Sequence, residues 1–139
     1  MKKIVLDTNV LLVSISSKSK LHWIFKNLLE GNYILYVTTA ILTEYAEIIE
    51  LHMGVLASEN ALGVLENLPN VEFITNYYKF NLLNDEDDNK FVDCCISANA
   101  NFIVTHDSDF NILKNIDFPK VSIKNTATFF KYLESYQFK

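Results

Sequence analysis

Residues 4–9, Ile-Val-Leu-Asp-Thr-Asn, constrain the fold of this chain more than any other stretch. Three consecutive aliphatics, two of them β-branched, read as a short strand buried on both faces, typical of a central parallel strand rather than an edge. That strand ends on an acid. In open parallel α/β sheets the carboxyl ends of the strands form the ligand crevice, which is where Asp7 falls. An Asx-turn toward Asn9 is the local alternative for the same residue.

A chain of 139 residues can bury one sizeable core, so residues 1–139 are expected to form a single domain. Half of the residues are hydrophobic and 13% aromatic, which excludes disorder. Lys2 and Lys3 look like the start of a secretory leader, but Asp7 interrupts the apolar run after three residues. No run approaches the roughly 18 apolar residues needed to span a bilayer, so a cytoplasmic protein without membrane contact is expected. The only cysteines, Cys94 and Cys95, are neighbours in a helical pattern and make neither a disulfide framework nor a zinc site. A net charge of −5 argues against a broad basic surface for nucleic acid, unless several of the acids are neutralised together around a cation. All 12 basic residues are lysines, so phosphate contact falls to lysine, backbone amides or a metal ion.

Past Asn9, a helix is expected with Leu21, Ile24, Phe25, Leu28 and Leu29 on one face, closed by Gly31. His22 lies off that stripe, and Trp23 reads as helix packing. Residues 33–37 form a second strand, and Thr38 or Thr39 caps the next helix. In that helix Ile41, Leu42, Tyr45, Ile48 and Ile49 are the apolar stripe, with Glu44 on its border and Glu47 and Glu50 on the far side. Residues 58–68 read as a helix stopped by Pro69, and residues 71–74 as a third strand. The segment 76–83 is aromatic and its pattern is ambiguous between regular elements.

Residues 84–89, Asn-Asp-Glu-Asp-Asp-Asn, begin a further helix, where acids favour the positive end of the dipole. Helical spacing aligns Asp88 with Phe91, Val92, Cys95 and Asn99 on the apolar face, while Asp93 falls roughly 140° away and is expected to be solvated. A core-facing acid needs a partner. Residues 102–104 form another buried strand, followed by Thr105-His106-Asp107-Ser108-Asp109-Phe110, so that acids again stand at a strand's carboxyl end. His106 is expected to point away from them. Residues 121–123 make a last strand, and Thr126 starts a helix with the stripe Phe129, Phe130, Leu133 and Tyr136.

This alternation implies an α/β/α sandwich, three layers around a mainly parallel sheet of about five strands. Right-handed crossovers place the strand carboxyl ends on one edge, with the first turns of the following helices. Asp7, Asp107, Glu44 and Asp88 would converge there. Two like charges about 4 Å apart repel by roughly 4 kcal/mol at an effective dielectric of 20, so such a cluster requires a cation. Oxygen-only ligands select a hard ion, Mg²⁺ or Mn²⁺.

Taken together, the opening strand with Asp7-Thr8-Asn9, Glu44 in Leu-Thr-Glu-Tyr, Asp87-Asp88-Asn89-Lys90-Phe91, and Ile-Val-Thr-His-Asp107 with Asp109-Phe110 resemble the PIN-domain nucleases. That family includes ribonuclease toxins of bacterial toxin–antitoxin pairs. The resemblance spans nearly the whole chain and implies a PIN-like fold. By this likeness Asp7, Glu44, Asp88 and Asp107 are the metal-binding catalytic acids, with Asp109 auxiliary and Asn9 and Thr105 supporting. The third acid lies in a run, which leaves Asp85 and Asp87 open, with Asp93 as an outside candidate. The implied activity is metal-assisted hydrolysis of phosphodiester bonds in single-stranded RNA by an endoribonuclease, held in check by a small antitoxin protein, with a homodimer also open. Two other readings remain. Haloacid-dehalogenase-like phosphatases share the strand and first Asp, but place a second Asp where this chain has Asn9. A catalytically inert RNA- or antitoxin-binding domain would leave the acids unassembled.

Overall fold

A computed structural model describes residues 2–137, the last two in backbone only, so Tyr136 lies outside the described side chains. The chain runs β1 (Lys3–Leu6), α1 (Thr8–Ile15), α2 (His22–Leu29), β2 (Ile34–Val37), α3 (Thr39–Met53), α4 (Val55–Asn67) and β3 (Val71–Phe73). It continues through α5 (Asn89–Ala98), β4 (Phe102–Val104), a 3₁₀ helix (Ser108–Asn115), β5 (Ile123–Lys124) and α6 (Thr126–Gln137). The strands form one sheet in the order β3-β2-β1-β4-β5, parallel throughout. Helices cover both faces, giving the three-layer sandwich expected. β1 is central, with Ile4 opposite both Leu35 and Phe102, and its three aliphatics are wholly buried.

Local chemistry accounts for the element ends. Thr38 accepts the Ile41 N–H at 3.2 Å and caps α3, whose far end is Gly54 at φ +95°. That positive φ suits a residue without Cβ, and it lets α4 begin at once. The helix expected from residue 58 therefore starts at Val55, and Ser58 instead ties the hairpin by donating to the Ala46 carbonyl at 2.9 Å. α5 ends at Asn99 in the left-handed region, a conformation asparagine tolerates.

One part of the core is aromatic. Trp23 of α2 packs on Phe129 and Phe130 of α6 at 5.6 and 5.1 Å, and Phe129 also meets Tyr33 and Phe102 edge-on. Phe129 is buried, whereas Phe130 and Leu29, both expected on buried stripes, are largely exposed. Cys94 and Cys95 are free and buried, and burial pushes both thiols up to about 12.

One sequence expectation changes around α5. Segment 76–83 takes neither helix nor strand. It lies against the flank of α5 that helical spacing had assigned to solvent, where the Phe80 N–H donates to Asp93 Oδ1 at 3.1 Å. Asp93 is consequently 5% exposed rather than solvated. No helix among the described residues is long and apolar enough to cross a membrane.

Candidate active site

The acid centre is assembled where β1 and β4 end. The Asp7 N–H donates to the Val104 carbonyl at 3.0 Å, which continues the strand pairing to the last residue before α1. Its side chain makes no bond across the helix end; instead the Thr105 hydroxyl donates to Asp7 Oδ2 at 2.8 Å. Thr105 Oγ1 also accepts the Asp107 N–H at 3.0 Å. One buried hydroxyl thereby sets the position of two acids. Asp7 is buried, and desolvation raises its pKa. Bonds from Thr105 and the Thr8 amide oppose that rise, while the charges of Asp107 and Glu44 add to it.

Asp107 heads the 3₁₀ helix and accepts the Asp109 N–H on Oδ1 at 2.9 Å. The carboxylates of Asp88, Asp107 and Asp109 offer oxygens that all lie within 4.8 Å of one another. Among the described residues no lysine pairs with these three. Asp88, at the head of α5, is partly buried, and its pKa is pushed to about 6, first by desolvation and then by Asp85, Asp107, Asp7 and Glu44. Asp88 thus stands against Asp107 and Asp109 and also feels the charges of Asp7, Glu44 and Asp85.

Glu44 is placed differently. Its two oxygens are taken by the Lys90 ammonium, 2.8 Å from Oε1, and by the Thr8 hydroxyl, which donates to Oε2. Neither Thr8 nor Lys90 was singled out by sequence reasoning. The signal was their chain neighbours: Thr8 follows Asp7, and Lys90 stands two residues after Asp88 in the first turn of α5. Asn9 is exposed and lines an open cleft with Asp7, Asp107, Val10, Val13 and Leu21. His106 turns away from the acids, with Nε2 2.9 Å from Thr126 Oγ1.

The run 84–89 separates by role. Asp85 accepts the Asp87 N–H at 2.9 Å, and both are exposed. Asn89 is buried and pairs with both polar groups of the Leu83 backbone, accepting its N–H at 2.9 Å and donating to its carbonyl at 3.1 Å. Asp93 faces segment 76–83. Asp88 alone of the run joins Asp107 and Asp109.

No curated protein matches the chain in sequence. In fold, it resembles the VapBC2 complex of Rickettsia felis bound to a promoter DNA fragment, at TM-score 0.61 and 19% identity over 88% of this chain and 98% of that one. VapC20 of Mycobacterium tuberculosis, a toxin that cleaves the sarcin–ricin loop, superposes at TM-score 0.55 and 15% identity, over 78% of this chain and 92% of that one. For the PIN domain of human SMG5 the figures are 0.52, 13%, 94% and 98%. At these identities the likenesses speak for the fold. The family profile described as PIN domain matches residues 3–109, from the first residue of β1 to the last acid of the centre. With that match over most of its length, the chain belongs to the PIN-domain family.

Proposed function

We propose that this chain is a divalent-metal-dependent endoribonuclease that hydrolyses single-stranded RNA, and that residues 1–139 form one PIN-like domain acting as the toxin of a toxin–antitoxin pair. The observation that carries this reading is the approach of Asp88, Asp107 and Asp109 to within 4.8 Å, with no lysine among the described residues to neutralise them. Their donors are hard carboxylate oxygens, while the cysteines are buried and His106 is turned to Thr126. That set fits Mg²⁺ or Mn²⁺. Asp88, Asp107 and Asp109 would hold the ion, with Asp7 beside them. Such an ion, when bound, supplies Lewis-acid polarisation of the phosphodiester and lowers the pKa of water.

The chain's own residues do the positioning. Thr105 fixes Asp7 and the Asp107 backbone at once. Lys90 and Thr8 hold the Glu44 side chain in place close by. Asn9 lines the neighbouring cleft, whose other wall is apolar through Val10, Val13 and Leu21. An open cleft of this kind admits a flexible single strand and has no element that enters a duplex groove. Asn9 stands where a dehalogenase-like phosphatase needs an acid, so that alternative finds no support. Resemblance to a VapBC complex and to a cleaving toxin supports the toxin reading with a small antitoxin as partner; a homodimer as a second assembly and the cytoplasm as location belong to the same proposal.

The test is incubation of the purified chain with end-labelled single-stranded RNA, with Mg²⁺ or Mn²⁺ and with EDTA. Cleavage is expected only with the ion, together with a rise in melting temperature; an ion at a hundred times its Kd stabilises by about 2.7 kcal/mol. Asp88→Asn and Asp107→Asn should abolish both. Intact RNA and an unmoved melting temperature with either ion would point to an inert binding domain instead.

A further inference from the structure

Beside the acid centre lies a second cleft of about 600 Å³ that the proposed reaction does not use. One wall is the irregular segment after β3, including Asn76 and Lys79; the other is formed by the starts of α3 and α5. Lys90 belongs to both places, since it lines this cleft and reaches Glu44 at 2.8 Å. Lys90 therefore stands between this cleft and Glu44 of the acid centre.

Several observations point to a ligand. Asn76 Oδ1 is buried without a hydrogen-bond partner, the one such side-chain atom among the described residues. Proteins rarely leave a buried acceptor unpaired, because the lost solvation is not recovered. Between Asn76 and Lys79 stand Tyr77 and Tyr78, 83% and 74% exposed, two rings with free faces. The segment is nonetheless held in place, by Asp93 at Phe80 and by Asn89 at Leu83. It presents its side chains without a large ordering cost on binding. The lining mixes Lys79 and Lys90 with Glu86, Asp87 and the Asn76 amide, so acceptors are as abundant as cations. Such a lining suits the donor edge of a base better than a row of phosphates.

We propose that this cleft is a nucleobase subsite for the nucleotide next to the scissile bond, taking a base with an exocyclic amino group. Rotation of the Asn76 side chain into the cleft lets Oδ1 accept from that amino group, Tyr77 and Tyr78 stack the following bases, and Lys79 meets a backbone phosphate. Cytosine offers the amino group where uracil offers an oxygen, so uracil is the poorer occupant. This assignment rests on the single-stranded RNA reading above.

Fluorescence polarisation with labelled oligo(C) and oligo(U) octamers in EDTA tests it, alongside Mn²⁺-dependent hydrolysis of bis-p-nitrophenyl phosphate, which is too small to occupy both sites. Oligo(C) should bind about tenfold tighter than oligo(U), and Asn76→Leu should erase that difference. The double variant Tyr77→Ala, Tyr78→Ala alters only exposed rings; it should weaken both oligomers about tenfold or more while leaving the small phosphodiester reaction unchanged. Equal affinity for the two oligomers, or wild-type affinity in the tyrosine variant, would overturn the subsite. Loss of a protein partner by that variant with RNA affinity intact would overturn it as well. Failure of the wild type to hydrolyse either RNA or the small diester would instead overturn the nuclease reading.

Discussion

The Lys90 ammonium lies 2.8 Å from Glu44 Oε1, joining α5 to α3 by the one ion pair of the acid centre among the described residues. It splits the acids into two groups. Glu44 is paired within the protein itself, while Asp88, Asp107 and Asp109 have no lysine partner among the described residues.

Removing this lysine should have opposite effects on the two states. Both partners are partly exposed, at 17% and 27%, so the pair is worth far less than a buried one. Lys90→Met is expected to destabilise the metal-free protein by about 1 kcal/mol in urea denaturation with EDTA. Because it adds net negative charge beside the triad, it should also tighten Mn²⁺ binding several-fold in a calorimetric titration. Unchanged stability and affinity would make the contact incidental.

Metal-free stability should fall as pH rises. Asp88 titrates near 6 in the folded chain, against about 3.9 for an unperturbed Asp, because burial and its acidic neighbours disfavour the charged form. The folded state therefore holds the proton more tightly, and the stability this contributes is complete below about pH 4 and lost through about pH 6. Asp7 is shifted in the same direction and adds to the slope. Asp88→Asn should flatten the profile and stabilise the metal-free protein near neutral pH by about 1 kcal/mol, a value discounted for partial exposure. Denaturation curves in EDTA between pH 4 and 7 check this; a steeper slope in the variant would refute it.

Thr105 is placed to serve two acids, and its hydroxyl rather than its shape carries that role. Thr105→Val keeps the volume but strands a carboxylate oxygen and an amide, at a cost of about 1–3 kcal/mol. RNA cleavage should drop at least tenfold, while Thr105→Ser retains both bonds and most of the activity. Equal activity in the two variants would remove Thr105 from the centre.

Asp93 should prove structural. Asp93→Ala removes the acceptor for the Phe80 amide, so it is expected to cost about 1–2 kcal/mol and to speed hydrogen exchange at that amide. Stabilisation by Mn²⁺ should persist in full. A variant that no longer responded to the ion would return Asp93 to the ligand set.

Much of the architecture is legible along the chain. The unbroken apolar runs of residues 4–6 in β1 and Phe102–Val104 in β4 demand two covered faces, and helical crossovers between such strands leave a parallel sheet as the solution. Asp7 and Asp107 could be placed from that alone, because a residue following a buried strand has only one edge of the sheet to occupy. Helical spacing likewise set Asp88 apart from Asp93, while the choice among Asp85, Asp87 and Asp88 stayed open until the folded chain brought Asp88 alone to Asp107 and Asp109.

Tertiary structure decided what spacing has no means to express. Periodicity knows the angle of a residue about its own helix but not what lies over that flank, so Asp93 was assigned to solvent and proved to be covered by segment 76–83. The same holds for Glu44, whose border position was evident while its partners were not. Thr8 is 36 residues away from it, and Lys90 lies on another helix. Sequence by itself determined the five strands and the helices α2 to α6, and with them the sheet edge that Asp7 and Asp107 share, since these follow from local burial and handedness; α1 and the 3₁₀ helix carried no such signal. Which acids keep an unpaired charge depends on side chains brought together from distant segments, and only the folded packing of α1, α3 and α5 settles that.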